Sequence, residues 1–166
     1  MKGLIGFIAA IVLLAACQEN ENTSDFTGTE TTYALQQGSE YAVSGTALFK
    51  ERRDGSTTIL VSLQGTDGDV KLPVHVHLGD LSQADADVAA LLNPVTGKSG
   101  QSETIVSALA NDTPITYKEL IKLSACIKIH LSSTGSGRDV ILAAGNVGVA
   151  STSPQGRTAV GVCKSN

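Results

Sequence analysis

The sequence predicts an all-β protein made of antiparallel strands. Apolar and polar residues alternate in Val74–Leu78 and again in Cys126–Leu131, as they do in strands that bury one face. Turn signals recur at short intervals between such runs, and Asp54-Gly55 is a dipeptide favoured in β-hairpins. The 17 glycines agree with a chain of many turns. Short strands with closely spaced turns indicate a sandwich or a barrel.

The first sixteen residues predict a leader that is separate from the folded domain. Residues 1–2 are a short basic region, and the apolar run 3–16 is shorter than the roughly 20 residues of a membrane-spanning helix. The run ends in Leu-Ala-Ala-Cys, which resembles the lipobox of bacterial lipoproteins. That resemblance implies cleavage before Cys17 and a lipid anchor on it, in the bacterial cell envelope, periplasmic or surface-exposed. An uncleaved anchor and ordinary secretory cleavage are the alternatives.

The mature chain expected after this cleavage is acidic. It runs 150 residues (166 minus 16) and loses Lys2, which leaves 11 Lys and Arg against 16 Asp and Glu, a formal charge of −5. This balance and the lack of a basic stretch exclude nucleic acid as the expected partner. Gln18–Thr32 is polar and acidic and predicts a flexible tether, so the domain is expected to span residues 33–166.

Strands are expected along the first half of the domain. Tyr33–Gln37 is a weak first candidate, and Glu40–Glu51 is a better one with a bend or bulge at Gly45. Thr57–Gln64 is the return strand of the hairpin. A second turn, Gly65–Gly68, leads into the strand that carries His75 and His77.

Two short helices are expected in the loops of the second half. Ala84–Leu92 predicts the first, which ends at Asn93-Pro94. Thr116 predicts the start of the second, because Glu119 lies three residues further on and completes a capping box. This helix is expected to end at Leu123.

Further strands are expected around these helices, at Thr104–Ala110, Cys126–His130 and Arg157–Cys163. Gly145–Gly148 follows an apolar run and predicts a loop, and residues 149–156 are also expected to be loop.

All three histidines lie on the polar face of their strands. His75 and His77 alternate with aliphatic residues, so both imidazoles point the same way with Cα atoms about 7 Å apart. His130 has the same alternation in its own strand. If the two strands are neighbours, three imidazoles could share one metal ion. Ordinary histidines on the solvent face of a sheet are the alternative.

Two cysteines, Cys126 and Cys163, remain once Cys17 carries lipid. Outside the cytoplasm two thiols tend to pair. Both residues face outward in their expected strands, so a disulfide is sterically reasonable, and two unpaired, partly buried thiols are the alternative.

Several segments, in order, resemble copper/zinc superoxide dismutases and the CHRD domains. Val43–Phe49, a hairpin and then His75–Asp80 resemble the dismutase opening, where His-Val-His supplies two copper ligands. Ile129-His130 resembles the strand with the last copper histidine. Gly145–Gly148 resembles the Gly-Asn-Ala-Gly turn, and Gly156–Val162 resembles the segment whose arginine guides superoxide. The likeness covers about 120 residues.

This resemblance implies a Greek-key, immunoglobulin-like β-sandwich or barrel of the superoxide dismutase type, with one or two short helices in loops. It implies copper ligands at His75, His77 and His130, and a role for Arg157 in catalysis by attracting superoxide. The short helix and strand that end at His130 also look like the second half of a CHRD domain.

The chain departs from the dismutase pattern in one respect that affects function. No histidine lies between His77 and His130, where the family's bridging and zinc histidines belong, so no zinc is expected. Asp80, Asp85 and Asp87 fit an acidic surface loop better than a metal site. Without the bridge and the zinc, nothing orients the copper ligands, and weak or absent dismutase activity is expected.

The sequence therefore predicts an envelope lipoprotein that binds copper, in storage, delivery or a weak or degenerate dismutase role. Its expected partners are the membrane, through Cys17, and superoxide or a copper donor or acceptor. The alternative is a non-catalytic CHRD-like binding or structural module with vestigial histidines. A zinc protein whose site is completed by an aspartate is a third reading.

Overall fold

In the computed structural model, eight antiparallel strands close into a barrel; the structure describes residues 24–83 and 86–152. The strands are β1 (Phe26–Gln37), β2 (Ser44–Arg52), β3 (Thr57–Gln64), β4 (Lys71–Leu78), β5 (Val88–Thr96), β6 (Gln101–Val106), β7 (Ser124–His130) and β8 (Ile141–Gly148). Helix α1 (Tyr117–Leu120) and two 3₁₀ turns, Gly135–Arg138 and Val149–Thr152, lie between or after them. The all-β prediction is confirmed.

The barrel follows the order β1-β2-β3-β6-β5-β4-β7-β8, and β8 returns to β1. The hairpin β2–β3 forms at the predicted Asp54-Gly55 turn, where Gly55 adopts φ +85°. Its inward residues include Phe49 and Ile59, which pair across the hairpin and are fully buried. Aliphatic side chains of all eight strands fill the interior, which agrees with the period-two pattern.

Strand β4 lies between β5 and β7, so the two strands that carry the histidines are neighbours. In the β4–β7 ladder Val74 is opposite Ile129 and Val76 is opposite Ile127. All four side chains are fully buried in the barrel. The alternate residues of both strands therefore share the outer face.

The expected tether to Thr32 is too long, because β1 already begins at Phe26. The polar run pairs with β2, for example Glu30 with Lys50, and the Lys50 ammonium lies 4.2 Å from the centre of the Phe26 ring. Most side chains of this half of β1 are exposed, so the segment lacks the apolar alternation that identifies a strand.

The helix expected over Ala84–Leu92 is also wrong, because Val88 onward forms β5; residues 84–85 lie outside the described ranges. A short apolar run does not distinguish a helix from a strand, and pairing with β4 decides the outcome here. Pro94 did not end a helix. It lies in a β-bulge, where a missing amide donor is tolerated.

The loop expected at Gly145–Gly148 is instead the second half of β8, which pairs with β7 as far as Gly148. A side chain at Gly145 would overlap the main-chain oxygen of Ala34 in β1. Glycine is needed here for close approach of two strands and not for a turn. The match to the dismutase turn therefore does not hold at the level of local structure.

Helix α1 confirms the capping box, since the Glu119 carboxylate accepts bonds from the main-chain N–H (2.8 Å) and hydroxyl (2.7 Å) of Thr116. The helix is a single turn. Within the described residues no helix is long and apolar enough to cross a bilayer. The expected leader, with Cys17, and the last expected strand, with Arg157 and Cys163, lie outside the described residues.

Candidate metal centre

The three histidines meet on the outer face of the β4–β7 pair. His75 is opposite Lys128, and His77 is opposite Cys126. His130 follows Lys128 by two residues and so lies on the same face. The prediction that all three imidazoles leave the barrel on one side is confirmed.

The three imidazole rings lie closer together than the pairing of β4 with β7 alone would place them. His77 and His130 are four residues apart in register, about 13 Å along the strands. Their ring centres nevertheless lie 6.1 Å apart. The His75 ring lies 5.8 Å from His77 and 4.9 Å from His130. The two outer side chains therefore lean toward each other and toward His75.

Two β-bulges lie beside the leaning histidines. The register between β4 and β5 shifts next to His77, where Ala89 is the extra residue. The register between β7 and β8 shifts next to His130, where Leu142 is the extra residue. A bulge turns the local strand and redirects the side chains beside it, which is the change in direction that convergence requires.

Main-chain carbonyls of two loops fix the orientation of the two leaning rings. The Nδ1 of His77 lies 2.8 Å from the oxygen of Ala86, and the Nδ1 of His130 lies 2.6 Å from the oxygen of Arg138. A carbonyl only accepts, so each Nδ1 carries the proton and donates it. Each Nε2 is left with its lone pair, as in histidines that bind a metal through Nε2.

Neither Nε2 atom uses that lone pair within the described part of the chain. The Nε2 atoms of His77 and His130 are both buried and have no hydrogen-bond partner there. A buried polar atom without a partner costs about 1–3 kcal/mol, and such atoms are few in folded proteins. Two of them side by side are the pattern expected of ligands that face an ion.

The nitrogen positions fit a shared ion. One ring nitrogen from each histidine lies within 4.8 Å of the others. Bonds of about 2.0–2.1 Å hold two nitrogens at most about 4.2 Å apart, so movements of about 0.6 Å complete the contact. Among the described residues no carboxylate joins the group. The reading with an aspartate ligand therefore has no support from Asp80 or Asp87.

Burial keeps the three imidazoles neutral. Desolvation lowers the pKa of His75 to about 4, and the charges of His130 and His77 add to the effect. Desolvation also lowers the pKa of His77 and of His130, and the charge of Lys128 acts in the same direction on both. The bonds to the carbonyls of Ala86 and Arg138 oppose these shifts. A metal therefore competes with few protons at neutral pH.

The site is less exposed than the outward direction of the histidines suggested. His77 is 7% and His130 is 4% exposed, whereas His75 is partly exposed and marks the side open to solvent. The loop after β4 covers the face, and it is held by a bond of 2.9 Å from the Leu81 N–H to the Asn146 side-chain oxygen. The histidines therefore lie in a recess and not on the open surface of the sheet.

Sequence reasoning missed Lys128, which is fully buried on the same face as the histidines. Its position opposite His75 follows from the alternation of the strand, so the signal was present. The carbonyls of Ala86 and Arg138 have no sequence signal, because any residue supplies one. Cys126 is buried opposite His77, and the expected disulfide stays a prediction, since Cys163 lies outside the described residues.

Comparison of the chain with protein-family models, with curated proteins and with solved structures gave no match.

Proposed function

We propose that this protein binds copper through His75, His77 and His130. The two buried Nε2 atoms without partners carry this proposal, because both rings are held through Nδ1 and one nitrogen of each of the three rings lies within 4.8 Å of the others. Imidazole nitrogen suits copper, and three such ligands leave a position open for exchange. Access from the partly exposed His75 suits a protein that stores copper or delivers it.

The wider setting of the site is part of the same proposal. The strand order, in which β3 pairs with β6 and β4 with β7, is compatible with a Greek-key barrel of the dismutase type. The leader sequence supports lipid attachment at Cys17 in the bacterial envelope. Arg157 remains the proposed residue for attracting superoxide, and activity is expected to be weak because the bridging and zinc histidines are missing.

Copper titration of the purified full-length chain tests this function. We expect one Cu(II) per chain with nitrogen couplings in electron paramagnetic resonance. Changing a residue that only supports a metal ligand typically weakens binding by about 10- to 100-fold. His130→Ala removes a ligand itself, so it should weaken copper binding more than about 100-fold. Lys71→Ala is the matched control, since Lys71 is exposed at the start of β4 and should leave binding unchanged.

The outcomes separate the two functional classes. Unchanged copper binding by the His130→Ala chain would show that the three-histidine site is wrong. No copper binding by the wild type would leave a non-catalytic binding or structural module. A superoxide assay of the loaded chain then separates storage and delivery from residual dismutation.

A further inference from the structure

We propose that residues 157–164 of this chain dock in a surface groove that runs from helix α1 across the outer face of β6 to β5. The inference is independent of the metal site. Three observations support it: an exposed apolar floor, two carboxylates at one end of the groove, and the place where the chain leaves the described residues.

The floor of the groove is apolar and exposed. Two adjoining hollows form it, and both are lined by Ile105 of β6. Ile115 lines the hollow beside α1, and Leu91 of β5 lines the other. Leu91 is 68% and Ile105 is 55% exposed, more than any other large apolar side chain among the described residues. Apolar side chains that are exposed together in one groove mark an interaction surface, whereas single ones do not.

The groove arises because β5 and β6 separate along their length. The two strands pair directly only beside the turn that connects them. A bond of 2.8 Å from the Asn93 N–H to the Thr104 hydroxyl continues the connection. The segment after β6 then crosses to β5, where the Ala110 N–H donates a bond of 2.8 Å to the oxygen of Ala89. The hollow between these two connections is open to solvent.

Two carboxylates line the end of the groove beside α1. Asp54 accepts hydrogen bonds from Ser56, and Glu119 accepts them from Thr116, and these bonds lower the pKa of both carboxyl groups. Arg52 lies 3.8 Å from Asp54 but contacts another carboxylate more closely, at 3.3 Å, so it offsets little of the charge here. Among the described residues no lysine or arginine lines either hollow. This end of the groove is therefore negative.

The proposed occupant has the complementary chemistry. Residues 153–166 contain two cations, Arg157 and Lys164, and neither Asp nor Glu. Residues 17–156 hold all 16 acidic residues and 9 of the 12 Lys and Arg (12 minus Lys2, Arg157 and Lys164), a formal charge of −7. Between the two cations lies Thr-Ala-Val-Gly-Val-Cys, whose small apolar side chains suit a shallow groove. Charge therefore attracts the segment, and the valines supply the apolar contact.

The place where the described residues end brings this segment close to the groove. They end in the 3₁₀ turn Val149–Thr152, and the Val149 N–H donates a bond of 3.0 Å to the oxygen of Leu123. Leu123 follows Glu119 of α1 by four residues, so the chain leaves beside the acidic end of the groove. Cys163 is eleven residues further on, which allows a reach of about 36 Å. The six residues of β6 span only about 20 Å.

Cross-linking within the full-length chain tests this position. All chains carry Cys17→Ser, and Cys126 is fully buried, so Cys163 is the reactive native thiol. A thiol introduced by Ile105→Cys should react with Cys163 through a short bismaleimide, and mass spectrometry identifies the linked peptides. Val70→Cys is the control, since Val70 is 51% exposed but lies at the other end of the barrel, about 26 Å away along β4. The link in the Ile105→Cys chain should form at least about tenfold faster.

A further pair of substitutions separates docking from chance collision. Val160→Ser together with Val162→Ser removes the apolar contact but keeps the reactive cysteine and both cations, and should slow the link at least about tenfold. Leu91→Cys gives a second position in the groove should the Ile105→Cys chain not fold, as judged by circular dichroism. Equal rates in the groove and at Val70, or a rate that the two serines leave unchanged, would overturn the inference. Links between two chains in place of links within one would overturn it as well and assign the groove to a second copy.

Discussion

Acid should destabilise the metal-free protein through its buried imidazoles, and His75 allows the effect to be estimated. Burial lowers the pKa of His75 from 6.5 to about 4. Between these values the unfolded chain holds more protons on this residue than the folded chain does. The free energy of unfolding is therefore highest above pH 6.5 and falls as the pH falls toward 4.

The size of this effect follows from the pKa difference. A shift of about 2.5 units at about 1.36 kcal/mol per unit gives a loss of about 3 kcal/mol for His75 alone. The pKa values of His77 and His130 are lowered as well, so they contribute with the same sign. A loss of this size is a large part of the 5–15 kcal/mol of stability typical of a folded protein.

Urea unfolding of the metal-free full-length chain at a series of pH values between 8 and 4.5 measures the effect. The His75→Gln chain should lose less stability over this range than the wild type does, because glutamine does not titrate. Leu91→Gln is the control, since Leu91 is 68% exposed and its substitution should leave the pH dependence unchanged. Equal pH dependence in the wild type and the His75→Gln chain would refute the assignment of the effect to this imidazole.

Two further substitutions test the packing around the site and the closure of the barrel. Asn146→Ala removes the acceptor of the Leu81 N–H and should lower the free energy of unfolding by about 1–3 kcal/mol. It should also weaken copper binding roughly tenfold, as measured by chelator competition, because the loop that Asn146 holds positions the His77 ring. Gly145→Ala places a methyl group against the main-chain oxygen of Ala34, so a loss of about 1–3 kcal/mol is expected in urea unfolding, with β1 forced away from β8. A stability equal to that of the wild type in either chain would contradict the contact concerned.

The faces of β4 and β7 could be predicted from the sequence because alternation is a local property. Val74 and Val76 must point opposite to His75 and His77 in any strand, whatever its neighbours are. That the two strands pair is not local. The pairing depends on which apolar faces meet in the barrel. The shared order of segments with the superoxide dismutases suggested this pairing, whereas the residue pattern alone did not.

Other parts of the structure gave no local signal. The run that starts at Val88 is apolar enough for a helix or a strand, and only its pairing with β4 decides. Glycine is common in turns, but at Gly145 the lack of a side chain instead allows close approach to the main chain of Ala34. The burial of the histidines depends on the path of the loop that Asn146 holds. No residue pattern within β4 or β7 specifies that path.

The two carbonyl acceptors have a consequence for how such a site changes in evolution. Ala86 and Arg138 contribute main-chain oxygens, and every amino acid has one. Substitution at these two positions therefore leaves the acceptors in place, and the orientation of the rings is inherited with the path of the loops and not with residue identity. Insertions and deletions in the loops are the changes that can remove it. Related chains can then keep the same ligand geometry while sharing no recognisable motif beyond the histidines themselves.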